Sequence, residues 1–201
     1  MITVVDYGMG NLRSVQKGFE RVGCQAIVSR DPDQILKADR LVLPGVGAFP
    51  KCMKNLTEFN LVEPILEFIK SGKPFLGICL GLQLLFDESD EFGVHEGLKV
   101  VPGKVTAFTR NMGLKIPHMG WNDVSFRKES PLFKEIDKGS YFYFVHSYYV
   151  IPYNSAHILA ECEYGITFTC AVEMDNVCAL QFHPEKSQQK GLTILKNFGR
   201  M

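Results

Sequence analysis

A cysteine between two glycines, at the end of a short apolar segment, constrains this chain more than any other feature. Gly77, Cys79 and Gly81 form a Gly-x-Cys-x-Gly pattern. The apolar residues 75–78 predict a buried strand, and the leucines that follow the cysteine have the spacing of a buried helix face. The segment therefore predicts a strand, a sharp turn at Cys79 and a helix. This is the thiol counterpart of the Gly-x-Ser-x-Gly turn that raises a nucleophile above a parallel sheet.

Such a turn suits an activated cysteine. A residue at its centre is held at strained backbone angles, and neighbours without a Cβ let the strand and the helix approach each other. A helix N-terminus also favours a thiolate over a thiol, because its N–H groups and its dipole stabilise negative charge. The hypothesis is that Cys79 is a nucleophile. The alternative is a cysteine that only fills the core, which is the commoner role in an apolar segment.

The first part of the chain alternates between strand and helix patterns. Residues 2–5 predict a strand, and Asn11 can cap the helix that follows. Further strands are predicted at residues 25–28 and 40–43, with helical patterns between them and up to about residue 70. The alternation predicts an α/β fold with a mainly parallel central sheet and helices on both faces.

The pattern changes in the C-terminal half. From about residue 98 to 182, short β-rich segments are separated by Pro, Gly and Asn, which predicts antiparallel additions to the sheet. Residues 116–122, which hold the single tryptophan, Trp121, contain too much Gly and Pro for a regular strand. They predict an exposed aromatic contact or a partly buried Trp. Residues 141–149 carry bulky side chains at successive positions and predict a strand covered on both faces. The length fits one domain spanning residues 1–201.

The charge balance and the cysteine pattern argue against several classes of function. The formal net charge is zero and no basic segment occurs, so we expect no nucleic acid partner. We expect no signal peptide and no membrane span, because no apolar segment approaches the length of about 20 residues that a bilayer requires. A cytoplasmic location follows as an expectation. The cysteines show no Cys-x-x-Cys pair and the histidines no His-x-x-x-His spacing, so we expect reduced thiols, no metal and no cofactor.

A glycine-rich loop follows the third predicted strand. Its sequence is Pro44-Gly45-Val46-Gly47. Two glycines spaced by one residue let backbone N–H groups turn outward at the carboxyl edge of a parallel sheet, where ligands of such folds bind. The loop could thus provide an oxyanion site. The alternative is an ordinary turn between a strand and a helix.

A His-Pro-Glu sequence follows a predicted apolar strand at residues 177–182. In an extended segment, residues two apart project to the same side, and Pro184 restricts the backbone, so that His183 and Glu185 can lie together. A carboxylate held against one imidazole nitrogen leaves the other free to face a thiol. Such a tripeptide alone is more often a turn. Together with Cys79 and the glycine-rich loop, it completes a Cys-His-Glu triad for acyl transfer through a thioester.

These motifs together resemble those of class I (triad-type) glutamine amidotransferases, and the resemblance covers essentially the whole chain. Residues 76–83 and 182–185 resemble the signatures of the class. Residues 44–47, 117–122 and 143–148 resemble one branch in particular, the glutaminase subunits that serve histidine biosynthesis. The resemblance implies a flavodoxin-like fold and the release of ammonia from L-glutamine.

The resemblance also implies a role for each site residue. Cys79 attacks the side-chain amide of glutamine, His183 moves the proton, and Glu185 orients the imidazole. The residues implied in the oxyanion site and in substrate binding are Gly45, Val46, Gly47, Leu80, Gln83, His146, Ser147 and Tyr148.

A partner is implied as well. In the subunits that this chain resembles, the ammonia enters a (β/α)8-barrel cyclase subunit, with which they form a heterodimer. The residues that the resemblance assigns to this interface are Asn11, His118, Trp121, Asn122, Tyr143 and Lys186. Three alternatives stay open. They are the same chemistry beside a related barrel partner in surface-sugar biosynthesis, a non-catalytic scaffold that only regulates a partner, and a cysteine peptidase.

Overall fold

Strands and helices follow one another largely as β-α pairs in the N-terminal half. The structure, a computed structural model, describes residues 1–109 and 113–201. The helices are α1 (Leu12–Arg21), α2 (Pro32–Lys37), α3 (Phe49–Glu58), α4 (Val62–Lys70), α5 (Leu80–Gln83) and α6 (Gln188–Phe198). The strands are β1 (Ile2–Val5), β2 (Ala26–Ser29), β3 (Arg40–Gly45), β4 (Phe75–Cys79), β5 (Phe86–Ser89), β6 (His95–Glu96), β7 (Val101–Ala107), β8 (His118–Asp123), β9 (Ser125–Phe126), β10 (Tyr141–His146), β11 (Tyr148–Pro152), β12 (Ile158–Glu163), β13 (Thr167–Met174) and β14 (Val177–Leu180).

The largest sheet is parallel at its centre. Its strand order is β2-β1-β3-β4-β14-β13-β11-β7-β5-β6, and β12 pairs with β13 and with β9. From β2 to β14 all neighbours in this order are parallel, and β14, β13, β11 and β7 then pair antiparallel in turn. The predicted α/β fold, a mainly parallel central sheet with antiparallel additions, is confirmed.

Alternation along the central strands builds a core on each face of the sheet. In β3, Val42 belongs to one core, whereas Leu41 and Leu43 belong to the other. Phe19 of α1 and the buried residues of α6 complete the first core, and Ile65 of α4 lies in the second with those of α2 and α3. Because successive strand side chains point to opposite faces, strands as apolar as these require helices on both sides.

The C-terminal half departs from the prediction in strand direction. β14 is parallel to β4 and so belongs to the parallel centre, and β7 is parallel to β5. Each of them pairs antiparallel with its other neighbour, β13 and β11 respectively, so the prediction of antiparallel additions across residues 98–182 is wrong only for the pairings β14–β4 and β7–β5. Direction depends on which strand lies alongside, and these neighbours are distant in the chain. β14 also ends at Leu180, before the predicted limit.

The helix after Cys79 is shorter than predicted. α5 ends at Gln83, and the chain enters β5 at Phe86. Leu84 and Leu85 are buried all the same. An apolar segment fits a buried strand as well as a buried helix, and pairing of β5 with β7 decides between them here.

A separate two-stranded sheet carries the tryptophan. β8 pairs antiparallel with β10 along its whole length, and Trp121 lies opposite Tyr143. The prediction that residues 116–122 form no regular strand is wrong. Hydrogen bonds to β10 outweigh the low strand propensity of this segment, because strand propensity depends strongly on the neighbouring strand.

One face of β10 is buried and the other is open. Phe142 and Phe144 are fully buried, whereas Tyr141 is 57% exposed. The prediction that residues 141–149 form a strand covered on both faces is therefore wrong. The small sheet packs against the core through one face only, and the face that carries Tyr141 and Trp121 is left uncovered in the chain.

All six cysteines are free, and all except Cys24 are buried. Their thiols therefore contribute mainly to packing, with Cys79 as the special case described below. Across residues 1–109 and 113–201, no helix combines the length and the apolar character that crossing a membrane demands.

Candidate active site

Three neighbouring parallel strands bring the predicted site residues to one edge of the sheet. β3 ends at Gly45 and β4 ends at Cys79, and the two residues lie opposite each other in the parallel register. β14 lies on the other side of β4, and the chain reaches His183 soon after that strand ends. Ligands of α/β folds bind at the carboxyl ends of parallel strands. The site therefore lies where the topology can build one.

The backbone of Cys79 is strained. Its φ is +57° and its ψ is −109°, a conformation that residues with a side chain rarely adopt. A Cβ added to Gly81 would lie 1.8 Å from the carbonyl oxygen of Leu43, and one on Gly77 would lie 2.8 Å from that of Gly81. The two glycines thus let β3, β4 and α5 approach closely enough to hold the turn. The strand and the sharp turn predicted around Cys79 are present.

Gly81→Ala is expected to destabilise the fold by about 3 kcal/mol or more, because the new methyl group would meet backbone atoms. Urea-induced unfolding measures the loss. Gly23→Ala is the matched control: a Cβ there meets nothing within 4 Å, and its φ of +81° adds only backbone strain, of roughly 1–2 kcal/mol. Equal losses in the two variants would contradict close packing at Gly81.

His183 and Glu185 form a buried pair. Nδ1 of His183 lies 2.8 Å from Oε1 of Glu185, and the two side chains are 2% and 1% exposed. The contact agrees with the prediction, but its geometry differs. Pro184–Lys186 is a 3-10 turn rather than an extended segment. The Lys186 N–H donates to the His183 carbonyl at 3.1 Å, a turn hydrogen bond that becomes possible once β14 has ended.

The charge on His183 depends on its two neighbours. Burial alone lowers the pKa of this imidazole, but the negative charges of Cys79 and Glu185 outweigh burial and raise the pKa of His183 above its ordinary value of 6.5. Because Nδ1 faces the carboxylate, Nε2 is the nitrogen that can exchange a proton with a substrate. Nε2 is buried and has no hydrogen-bond partner among the described residues. An imidazolium beside a thiolate can protonate a leaving group.

A cavity of about 390 Å³ opens over Cys79. All residues predicted for the oxyanion site and for substrate binding line it, except Gly45, which is buried at the end of β3. The lining residues are Val46, Gly47, Cys79, Leu80, Gln83, Glu91, Pro117, Val145, His146, Ser147 and Tyr148. In the part of the chain that the structure describes, no group of three or more His, Cys, Asp or Glu side chains could hold a metal ion.

Two side chains hold the glycine-rich loop from its buried side. The Tyr7 hydroxyl donates to the Pro44 carbonyl at 2.7 Å, and the Cys52 thiol donates to the Val46 carbonyl at 3.9 Å. The C=O and N–H of a trans peptide point in opposite directions, so the Gly47 N–H points away from Cys52, toward the cavity that Gly47 lines. The oxyanion role of the loop stays a prediction, and this geometry supports it.

Three of the lining residues were not among the predicted site residues: Glu91, Pro117 and Val145. Pro117 and Val145 lie within segments that resemble the family, whereas Glu91 lies outside every motif. Glu91 supplies the carboxylate among the described lining residues. Its Oε2 accepts the Phe49 N–H at 2.7 Å, which holds the side chain at the cavity wall, and burial raises its pKa. Glu91 reaches the cavity because β5 pairs with β7, a contact between segments that no local pattern predicts.

Three of the residues predicted for a partner interface meet on one surface. The rings of Trp121 and Tyr143 lie edge to face with centroids 6.2 Å apart, and the Lys186 ammonium group lies 5.8 Å from the centroid of the Tyr143 ring. The other residues predicted for the interface are Asn11, which caps α1, Asn122, which is half-buried in β8, and His118, which is buried.

The fold, the cysteine turn and the buried His–Glu pair together define a class of protein. The family described as glutamine amidotransferase class-I matches residues 3–201. The chain therefore belongs to the class-I glutamine amidotransferase family, which confirms the resemblance seen in its motifs.

More specific relatives have nearly the same length as this chain. A protein of Syntrophotalea carbinolica is 59% identical, with 100% of both chains covered. One of Aquifex aeolicus is 54% identical over 98% of this chain and 95% of the relative. Both are named imidazole glycerol phosphate synthase subunit HisH.

Solved structures with much lower identity share the fold. One described as a glutamine amidotransferase has a TM-score of 0.76 at 19% identity and covers 99% of this chain and 100% of its own. Another, described as PurLQS from Thermotoga maritima, has a TM-score of 0.74 at 16% identity, with 98% of this chain and 96% of the other covered. At this identity they support the architecture alone.

Proposed function

We propose that this chain, as one amidotransferase domain spanning residues 1–201, is the glutamine-hydrolysing subunit of imidazole glycerol phosphate synthase in histidine biosynthesis. The observation that carries the proposal is the strained Cys79 at the floor of the cavity, electrostatically coupled to the buried His183–Glu185 pair. The full-length relatives that bear the synthase name support the choice of pathway. The free cysteines support a cytoplasmic location for the enzyme.

The reaction uses the groups that face the cavity. The thiolate of Cys79 attacks the side-chain carbonyl carbon of glutamine, and backbone N–H groups of Gly47 and Leu80 stabilise the oxyanion that forms. Nε2 of His183 gives its proton to the departing nitrogen, so that ammonia leaves and a thioester remains. Water then attacks the thioester, His183 takes up the proton, and glutamate is released. Glu185 keeps the imidazole oriented throughout.

The carboxylate of Glu91 is placed to bind the α-amino group of glutamine. It places a carboxylate on the wall of a cavity whose floor holds the nucleophile, so a substrate with a cationic head and an amide tail can span the two. A charge-assisted hydrogen bond of this kind contributes more than a neutral one.

Glu91→Gln is therefore expected to raise the KM for glutamine roughly tenfold to a hundredfold while changing kcat less, because the lost charge acts on binding rather than on the reacting carbon. The amide oxygen of the new side chain can still accept the Phe49 N–H. Steady-state hydrolysis over a range of glutamine concentrations measures the effect. Glu88→Gln, at an exposed position of β5, is the matched control. A fall in kcat at unchanged KM would contradict the assignment.

The open face of the β8–β10 sheet fits a protein partner. Met119, Trp121 and Tyr141 are 62%, 45% and 57% exposed, and aromatic residues and Met are enriched at protein interfaces. The partner we propose is a (β/α)8-barrel cyclase subunit that receives the ammonia. A hydrogen bond links this sheet directly to the triad: the His183 N–H donates to the Tyr143 carbonyl at 2.9 Å.

The test of the proposed function is glutamine hydrolysis by the chain alone, with the cyclase, and with the cyclase and its nucleotide substrate. We expect slow hydrolysis by the chain alone and activation by the loaded partner. The activation should be of the order of 10²–10³-fold, the size of the contribution of one oxyanion-hole donor.

The chain should also restore growth without histidine to a host that lacks this subunit. No hydrolysis with any partner would refute the proposal. Glutamine hydrolysis without restored growth of the host would favour the alternative in which the chain serves surface-sugar biosynthesis.

A further inference from the structure

Gln181 contacts the reacting sulfur. Its side chain is fully buried, and its Nε2 donates to Sγ of Cys79 at 3.8 Å. Its Oε1 accepts from Nε2 of Gln83 at 3.1 Å. Both ends of the amide are therefore engaged, and the donor end faces the nucleophile.

A buried chain of hydrogen bonds has only one possible direction, and it begins at the carbonyl of Tyr148. A carbonyl can only accept, so Nδ1 of His146, 2.9 Å away, carries its proton. In a neutral ring Nε2 must then accept, and Nδ1 of His118 donates to it at 2.9 Å. Nε2 of His118 accepts in turn from the Asn122 amide at 3.3 Å. Burial lowers the pKa of His118 to about 4 and that of His146 to about 3, which keeps both rings neutral near pH 7.

The same carbonyl sets the orientation of Gln83. Nε2 of Gln83 donates to the Tyr148 carbonyl at 3.0 Å and to Oε1 of Gln181 at 3.1 Å, which uses both of its hydrogens. If the Gln83 amide were flipped, its oxygen would face two other acceptor oxygens, those of the Tyr148 carbonyl and of Gln181, and both hydrogen bonds would be lost. The amide of Gln181 is fixed for the same reason, because a flip would present its N–H groups to the donor of Gln83 and its oxygen to Cys79.

The orientation of the Gln181 amide determines which form of the Cys79 sulfur it stabilises. As a thiol, Cys79 donates to the Val145 carbonyl at 3.9 Å, and it gains more from a donor such as Gln181 once the sulfur is charged. An amide N–H can donate but cannot accept, so Gln181 stabilises the deprotonated form selectively. The proton released from the thiol is held by His183.

We propose that Gln181 stabilises the thiolate of Cys79 by N–H···S donation, and that Gln83 and the Tyr148 carbonyl are positioning groups that keep its amide in this orientation. His146, oriented by His118 and Asn122, donates to the same carbonyl and holds it in place. The inference rests on the proposed function in so far as Cys79 is the nucleophile. Nothing in the sequence around Gln181 distinguishes it from a core residue before a strand end.

The experiment compares the rate at which iodoacetamide alkylates Cys79 in the wild-type chain and in Gln181→Met, a side chain of similar length without a donor. Mass spectrometry of the peptide that contains Cys79 measures the rate at pH 7 and at pH 10. We expect a rate about tenfold lower in the variant at pH 7, the usual size of a hydrogen bond to a charged group. We expect equal rates at pH 10, which lies above the ordinary pKa of a cysteine thiol.

Gln16→Met is the matched control, because the Gln16 amide also donates a hydrogen bond, in its case to the Ala26 carbonyl at 2.9 Å, away from the site. Alkylation of the partly exposed Cys24 in the same samples is the internal reference. Equal rates at pH 7 in a folded variant would overturn the proposal. A slowing of the same size at both pH values would also overturn it, since that would indicate altered access to the sulfur.

A second measurement does not depend on the variant being stable. In the ¹⁵N-labelled wild-type chain, the Gln181 side-chain protons should shift as Cys79 ionises, and those of Gln16 should not. A Gln181 signal that ignores the ionisation would overturn the proposal. Neither measurement requires glutamine or a partner, so a chain that shows these effects but hydrolyses no glutamine would refute the proposed function and leave this inference standing.

Discussion

Glutamine hydrolysis is expected to fall by roughly 10⁴-fold or more when Cys79 is changed to serine, which is the usual scale for loss of a nucleophile. A serine hydroxyl at this position would require a far stronger base than His183, because an aliphatic hydroxyl loses its proton far less readily than a thiol. Synthesis by the complex from added ammonium salts should continue at the wild-type rate, since the proposed cyclase partner uses ammonia at a site of its own. Parallel assays with glutamine and with ammonium as the nitrogen source measure both effects.

Cys24→Ser is the control for this change, because Cys24 is a partly exposed cysteine outside the cavity. It should retain both activities. A glutamine-like electrophile should modify Cys79 in the wild-type chain and spare the other cysteines, which do not line the cavity that holds Cys79. If Cys79→Ser lowered synthesis from glutamine and synthesis from ammonium equally, the assignment of glutamine hydrolysis to this chain and of synthesis to its partner would be wrong.

Changing His183 to alanine is expected to lower kcat by roughly 10²-fold or more, and Glu185→Ala is expected to cost less. In the proposed mechanism the imidazole carries the proton to the departing ammonia, whereas the carboxylate, 2.8 Å from Nδ1, orients the ring and stabilises its charge. Both effects should appear in kcat rather than in KM, because the imidazole and the carboxylate act on the proton transfer and not on the binding of glutamine. Steady-state kinetics of the complex under saturating nucleotide measures them.

Two further variants refine the comparison. Glu185→Gln keeps an oxygen that can accept from Nδ1 but removes the charge, and its kcat should lie between those of wild type and Glu185→Ala. Lys186→Ala changes the exposed neighbour of Glu185 and should leave the basal hydrolysis rate of the chain alone unaltered. A larger loss for Glu185→Ala than for His183→Ala would reverse the assigned roles.

Features that depend on a few neighbouring residues could be predicted from the sequence. Glycines on both sides of Cys79 require a close approach of backbone segments, and the structure holds that residue at a φ of +57°. Asn11 was predicted to cap a helix, and its side chain accepts the Ser14 N–H at 3.4 Å. His183 and Glu185 are separated by one residue, so almost any turn or strand can bring them together. The residue types that such features require are visible locally, even where the segment they contact, such as Leu43 beside Gly81, is distant in the chain.

The neighbours of each strand were decided only by the tertiary structure. β14 lies in a β-rich half and was expected to be antiparallel, yet it inserts beside β4 and becomes parallel to it. Residues 116–122 contain too much Gly and Pro to predict a strand, yet β8 forms because β10 supplies its hydrogen bonds. Strand formation is a property of a pair, and one member of each pair lies far away in the chain.

The sequence by itself determined the cysteine turn, the His–Glu pair and the glycine-rich loop, together with the strands that end at Gly45 and Cys79. Only the tertiary structure decided which polar groups surround them. Gln181 and Cys79 are 102 positions apart, and Glu91 and Phe49 are 42 apart. No periodicity relates residues at such separations. They meet because burial of both faces of the sheet sets the register of its strands, and that register is a property of the whole core rather than of any one segment.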